Sequence, residues 1–348
     1  MSKERIIMFY VYPSTFVKRD VEILRNNFIV DEFEFASAKK HQVLISFFKQ
    51  FIFVLTKIKD YKVIICQSSG YLSFLPIIFG KLFKIPTAII AIGTESCSIP
   101  EINYGTNRKF LYSWFSKISL YNTSVILPVH KSMIHRTDEY FSSVQTSQGI
   151  KAFFPTIQTK IYPINYGYDF SKWQIVNEGK RKKDFLTITT SLGKTGYYLK
   201  GIDLVISLAK RMPQKSFTVV GKVWHPFKDL PSNITIIDHL SQLELADMYN
   251  AHNYYLQLSI SEGFPNSLCE AMLCGCVPIG SSVSSIPEII SDKGFILLKK
   301  DVNLLVELVS KIKEKEFDRQ VIRARIVDNY PIQKREKELI EVIKSLIK

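Results

Sequence analysis

The sequence predicts an α/β protein of two doubly wound, Rossmann-like domains separated by a deep cleft. Three observations lead there. Short apolar strands alternate with helix-sized segments along the 348-residue chain, which is about two domains long. The alternation occurs in two blocks, parted near Lys180-Arg181-Lys182-Lys183, a run that reads as a basic linker. Short strands joined by helices imply parallel sheets covered on both faces, and two blocks imply two such sheets.

In the first block, Ile6 to Val11 reads as a buried strand, and Pro13-Ser14-Thr15 can start and cap a helix running to about Asn26. Strands follow at Lys62–Cys66, at Ala88–Ile92 and at Ser124–Pro128, the second of them ending at Gly93. Phe47 to Leu55 is strongly apolar with spaced lysines, a pattern that suits a helix on a sheet face or a helix on a membrane surface. In the second block the strands are Phe185–Thr190, Ser216–Gly221, Ile234–Ile237, Tyr254–Ser259 and Val277–Gly280. Helices are expected at Ile202–Arg211, Leu243–Tyr249, Ser267–Cys274 and Pro287–Ile290. Ligands of such sheets bind outside the carboxyl ends of the strands.

Composition bounds the class. With 46% hydrophobic and 22% charged residues the chain can bury substantial cores. The most apolar stretch, Tyr71 to Gly80, contains Pro76 and is closed by Lys81 and Lys84, short of the roughly 20 apolar residues a bilayer span takes. The start Met1-Ser2-Lys3-Glu4-Arg5 runs into a strand without the pattern of a signal peptide. Five cysteines, Cys66, Cys97, Cys269, Cys274 and Cys276, form no paired CxxC arms and read as small buried hydrophobes. Cytoplasm is the expected compartment, and the sequons at Asn122 and Asn233 are then chance matches. Formal charge is +14; residues 1 to 165 hold 20 Lys and Arg against 11 Asp and Glu. That excess suits an anionic membrane surface more than nucleic acid, because no nucleic-acid-binding motif accompanies it.

The most informative run is Ser261-Glu262-Gly263-Phe264-Pro265-Asn266-Ser267-Leu268-Cys269-Glu270-Ala271-Met272. It follows a buried strand and passes into a helix. Gly263 permits an unusual turn, and Pro265 suits a helix start, where a missing N–H does no harm. The free amides of the first turn can then hold a phosphate or a sugar hydroxyl. Glu262 and Glu270, eight residues apart, can each accept paired hydrogen bonds from vicinal hydroxyls.

This string, EGFPNSLCEAMLCGCVPIGSSVSSIPEII, resembles the E-x7-E signature of the family 4 (group 1) retaining glycosyltransferases of bacterial polysaccharide and cell-envelope synthesis. Leu199-Lys200-Gly201-Ile202-Asp203 is similar to that family's KG-D element, and Asn165-Tyr166-Gly167-Tyr168-Asp169 to its interdomain N-G-x-D segment, with Asn165 read as hinge. The resemblance implies a GT-B fold: an acceptor domain over 1–165, a nucleotide-sugar domain over 166–330, and a crossover helix at about 331–348 returning to the first. It implies that Glu262 faces the transferred sugar and Glu270 the ribose. Lys200, with Lys194 in place of an absent arginine, would serve the diphosphate. Gly263, Phe264, Pro265, Asn266 and Ser267 would line the donor site, with Gly221 letting the nucleotide approach, although a plain turn glycine is an equal reading. In the first half, Glu95 stands where relatives carry G-x-D and is a candidate to orient an acceptor hydroxyl. Ser14, Thr15, Lys18, Arg19 and His130 are candidates for phosphate or acceptor contact, helix capping being the plain alternative for the first two.

The implied reaction is metal-independent transfer of a hexose-type sugar from a nucleoside diphosphate sugar to a saccharide or lipid-linked acceptor. It needs no cofactor beyond that co-substrate and no nucleic acid, and its site is the cytoplasm or the inner face of the cytoplasmic membrane. The rival readings are an epimerase-like enzyme on a nucleotide sugar and a non-catalytic, membrane-associated nucleotide-sugar-binding protein.

Overall fold

The computed structural model describes residues 3–37, 39–142, 145–176, 181–223, 229–312 and 317–348. The chain runs β1 (Arg5–Tyr10), α1 (Thr15–Arg25), β2 (Ile29–Glu34), α2 (Lys40–Lys57), β3 (Val63–Gln67), α3 (Tyr71–Leu82), β4 (Thr87–Ala91), α4 (Phe110–Asn122) and β5 (Val125–Pro128). A hairpin of β6 (Arg136–Asp138) and β7 (Thr146–Gln148), α5 (Ile150–Phe153) and β8 (Lys160–Ile161) complete the first half. The second half opens with β9 (Lys183–Ser191), α6 (Lys194–Leu199), α7 (Ile202–Arg211), β10 (Phe217–Lys222), β11 (Ile234–Ile237), α8 (Gln242–Ala251) and β12 (His252–Gln257). It continues with α9 (Asn266–Leu273), β13 (Val277–Ser281), α10 (Ile286–Ile290), β14 (Phe295–Leu297), α11 (Val302–Ser310), α12 (Arg319–Asn329) and α13 (Ile332–Ile347).

Two six-stranded sheets result, ordered β2-β1-β3-β4-β5-β8 and β11-β10-β9-β12-β13-β14, and every pairing within them is parallel. Strands β3, β4, β5 and β13 are buried along their whole length, as parallel strands covered on both faces must be. Strand order reverses between β1 and β3 in one sheet and between β9 and β12 in the other, and crevices open at such switch points. The carboxyl ends of the sheets face each other. A Cβ on Gly263, beyond β12, would lie 2.1 Å from the carbonyl oxygen of Ile92, beyond β4.

The expected strands are all present within a residue or two of their limits. The apolar segment at Phe47–Leu55 belongs to a longer helix, α2, and the stretch from Tyr71 forms α3 in spite of Pro76. Among the described residues no helix is long and apolar enough to cross a membrane. The basic run before β9 is not a solvent-exposed linker: Arg181 is buried and donates to the carbonyls of Tyr249, His252 and Cys274, while Lys183 already lies in β9. Lys180 lies outside the described residues. Burial, which penalises the bare guanidinium, is offset here by three carbonyl acceptors. All five cysteines are buried free thiols. Asn233, one of the two sequon residues, spends its amide on the carbonyls of Ala209, Met212 and Lys215 at the end of α7.

Helix α13 lies against α1 and β3 of the first half. Its anchor is Arg335, which is sealed from solvent and grips both carboxylate oxygens of the equally buried Asp20 at 2.6 Å. The same guanidinium donates to the carbonyls of Ile164 and Asn165 at 3.0 Å and sits over the Tyr166 ring. Burial alone would disfavour the charged guanidinium, but Asp20 outweighs it and raises the Arg335 pKa. Breaking such a pair leaves a buried, uncompensated charge. Arg335→Met is expected to lower stability in urea unfolding by about 3 to 5 kcal/mol, and adding Asp20→Asn is expected to restore much of that loss.

Candidate active site

The candidate site of the second half is assembled by one close approach. Gly201 holds φ +68°, and a Cβ there would lie 2.2 Å from the carbonyl oxygen of Leu258. Only glycine fits a left-handed position pressed against another backbone. The α6–α7 turn therefore rests on the segment leaving β12, and the amide of Ile260 donates to the carbonyl of Leu199 at 2.9 Å. This brings Lys200 Nζ to 2.5 Å from Glu262 Oε1, at the switch point between β9 and β12.

Glu262 is held from below as well. The same Oε1 accepts from Ser259 Oγ at 2.7 Å and from Gln257 Nε2 at 3.0 Å. Gln257 also donates to Ser259, whose carbonyl accepts from Ser281 Oγ of the neighbouring strand. No motif names these supports, although their spacing of five and three residues before Glu262 at a strand end is a usable signal. Charge-assisted bonds of this kind fix the carboxylate without an outside partner.

Helix α9 begins at Asn266 with Pro265 as its N-cap, so the amides of Asn266, Ser267 and Leu268 have no acceptor within the helix. Asn266 Oδ1 accepts from Tyr168 Oη at 2.8 Å, which ties the helix start to the segment between the two sheets. Ser267 Oγ lies 3.4 Å from Gln257 Oε1. The Phe264 ring is buried among Tyr166, His130 and Tyr330. Only its backbone remains suited to a ligand. One turn into α9, Glu270 accepts from Tyr249 Oη at 3.1 Å. Burial pushes the Glu270 pKa up, and the nearby Arg19 charge and the Tyr249 bond offset only part of that.

Residues read from the first half divide. Arg19 does reach this region: it acts on Glu270 electrostatically while donating to Gly167 O at 2.6 Å and lying over the Tyr168 ring. Ser14 is the N-cap of α1 but makes no side-chain cap bond, and its hydroxyl is buried without a partner. Thr15 and Lys18 are exposed on the first turn. Glu95 does not project into the cleft. It is fully buried and turns back to accept from the amides of Ile92 and Gly93 and from Thr94 Oγ1, with burial raising its pKa. A carboxylate spent on its own loop is a support for the Ile92–Gly93 contact with Gly263.

His130 is also buried, with Nδ1 accepting from the Ser132 amide and Nε2 3.4 Å from Glu288 of α10. Burial lowers its pKa and favours the neutral ring. Lys131 meets the same Glu288 at 2.8 Å, so this carboxylate bridges the halves. Arg136, unremarked in the sequence, pairs with Asp138 at 2.9 Å and reaches Ser261 Oγ at 3.4 Å across the cleft.

In the second half, Lys194 is exposed at the start of α6. Asp203 of the KG-D element pairs with Lys300. Gly221 is buried where β10 runs irregularly beside β9, and a Cβ there would lie 2.7 Å from the carbonyl oxygen of Thr189. Close packing between strands explains that glycine by itself.

Comparison with known proteins bears on the fold. In sequence the chain is 27% identical over 92 residues to the O-antigen chain mannosyltransferase B of Escherichia coli, which is 26% of this chain and 24% of that protein. The match thus spans about a quarter of either protein. In structure it is similar to sucrose-phosphate synthase from Thermosynechococcus elongatus, with TM-score 0.77, 13% identity and 99% of both chains covered. It is similar also to Anabaena HepE in complex with UDP and glucose, with TM-score 0.69, 13% identity and 98% and 100% covered. The catalytic domain of Arabidopsis thaliana starch synthase IV, bound to ADP and acarbose, superimposes with TM-score 0.70 at 11% identity over 100% of both chains. The paired parallel sheets are those of the GT-B glycosyltransferase fold. Within it, residues 173–325, which hold Lys200, Glu262 and Glu270, match the family described as Glycosyl transferases group 1.

Proposed function

We propose that this protein is a retaining glycosyltransferase that moves a hexose-type sugar from a nucleoside diphosphate sugar to a saccharide or lipid-linked acceptor in polysaccharide or cell-envelope glycan synthesis. The observation that carries the reading is the Glu262–Lys200 pair, lodged at the switch point of the second sheet and facing the Ile92–Gly93 loop of the first. A carboxylate beside a cation, next to free helix amides, suits a ligand that carries hydroxyls at one end and a diphosphate at the other. The group 1 domain match supports the reading, as do neighbours solved with UDP and glucose or with ADP.

In this mechanism the bond from the anomeric carbon to the β-phosphate oxygen breaks and a bond to the acceptor oxygen forms on the same face. The acceptor proton passes to the departing phosphate. The barrier is lowered chiefly by stabilising the charge that develops on that phosphate. Lys200 and the amides of Asn266 and Ser267 supply this stabilisation, while Glu262 holds sugar hydroxyls and Glu270 the ribose. Glu262 is not a free base: three donors already share its Oε1. Five buried free thiols fit the reducing cytoplasmic side.

Lys200→Ala is expected to lower kcat by a factor on the order of 10² to 10³, and Glu262→Gln to remove most transfer, in protein whose circular dichroism is unchanged. Wild-type rates in both would overturn the assignment. A melting-temperature screen across UDP-, GDP-, ADP- and dTDP-sugars should single out one donor by mass action; no shift with any of them at saturating concentration counts against a donor site. Ribose contact requires ionised Glu270, and its pKa is raised, so donor affinity should fall as pH drops through a value above the ordinary carboxylate range. Glu270→Gln should weaken donor binding roughly ten- to a hundredfold and abolish that acid limb, both measurable by calorimetric titration.

A further inference from the structure

One face of the first half is built for contact with something apolar and anionic. Right-handed crossovers place α2, α3 and α4 on the same side of the first sheet, opposite α1 and α13. Their inner sides interlock through aromatic contacts, Phe47 meeting Tyr71 and Phe115, and Phe51 meeting Phe79. A helix with one apolar side would now be satisfied. Helix α2 is apolar on its outer side as well: Leu44 is 73% exposed and Phe48 66%, and Ile45, Ile52 and Leu55 follow along the same stripe. Helix α4 adds Phe110, 86% exposed, with Leu111 and Trp114. A helix that is apolar all round is normally covered.

Charge decides what covers it. None of α2, α3 and α4 contains a single Asp or Glu. Lys49 and Lys57 of α2, Lys117 of α4 and Lys109 just before it are exposed among the apolar side chains. Between residues 39 and 122 there are eleven Lys and Arg but three acids, and one of the three, Glu95, is buried. A second copy of this chain docked by the same face would set lysines against lysines with no acid to meet them, which is costly in a two-fold interface. Phe, Leu and Trp between lysines match the boundary of a bilayer with anionic headgroups, where rings enter the acyl edge and ammonium groups stay at the phosphates.

We infer that the α2–α4 face docks on an anionic lipid bilayer. The face also has a direction. Helices α2 and α4 start at the carboxyl ends of β2 and β4, and the Tyr112 ring of α4 closes on Gly70 beyond β3. Leu44 and Phe110 therefore lie at the cleft end of the layer, and docking brings the cleft mouth to the headgroups. The docking itself stands on these exposed residues; its use, to meet a lipid-linked acceptor, rests on the proposed transferase reading.

The test is flotation of the full chain with vesicles of phosphatidylcholine and phosphatidylglycerol, and with vesicles of phosphatidylcholine alone, at low and high salt. Docking predicts flotation with the anionic vesicles at low salt, loss at high salt, and little with phosphatidylcholine alone. Phe48→Glu and Phe110→Glu should each abolish it, and each of Lys49→Gln, Lys109→Gln and Lys117→Gln should weaken partitioning roughly fivefold. Donor-induced melting shifts should stay unchanged in all five, which separates loss of docking from loss of the donor site. In the unaltered chain, brominated phosphatidylcholine mixed into the anionic vesicles should quench Trp114, a readout that needs no variant to fold. Wild-type flotation that survives both glutamate variants would overturn the proposal. So would absence of flotation with anionic vesicles at low salt, or a dimer in light scattering that both glutamate variants dissolve while vesicles are ignored.

Discussion

Gly263 and the Ile92–Gly93 loop touch backbone to backbone where the two sheets face each other, with no room for a Cβ between them. The rest of the site is arranged around that contact. Gly93 holds φ +144°, and Glu95 secures its amide by giving up its carboxylate to the loop. On the other side Gly201 must keep a left-handed conformation for the α6–α7 turn to lie on Leu258. Three small residues thus set the distance between a cation, a carboxylate and the opposite sheet.

Around this contact charge is arranged in two different ways. Glu262 and Lys200 neutralise each other at a partly open edge, where the polar groups of a ligand can replace either partner by a bond of the same kind. Arg335 and Asp20 do the same in a sealed interior, where no ligand competes and the pair serves to fasten α13 to α1 and β3. The chemistry of the two pairs is alike; solvent access separates their roles. Glu288 belongs with the second kind in function, because it links His130 and Lys131 of one half to α10 of the other.

The first half has a second asymmetry, between its two helical layers. The layer of α1 and α13 is held by polar bonds, such as Asn26 to Glu336 and Lys344 to Asn27. The layer of α2, α3 and α4 is aromatic inside and apolar outside, and carries cations without acids. Covering the sheet takes only the inner side of that layer, so core packing does not account for the outer apolar stripe.

Much of this was legible in the linear sequence because it is local. Apolar runs such as Val277–Ser281 and Val63–Gln67 name themselves as buried strands, and Ile202–Arg211 has the period of a helix packed on one side. The order of Lys200, Glu262 and Glu270 along the chain was enough to point to the second half as the place of the candidate site. What no local pattern carries is the direction a side chain takes once distant segments meet. Glu95 reads as a cleft acid and is buried; Arg181 reads as linker and is core. Arg136 and Tyr249 carry no motif, yet one touches Ser261 and the other holds Glu270. The sequence alone therefore determined the two parallel sheets and the polar chemistry available to the segment from Glu262 to Glu270, since periodicity and residue type suffice for both. Only the tertiary structure decided which charges remain open to a ligand, because desolvation and partner geometry depend on contacts between residues far apart in the chain.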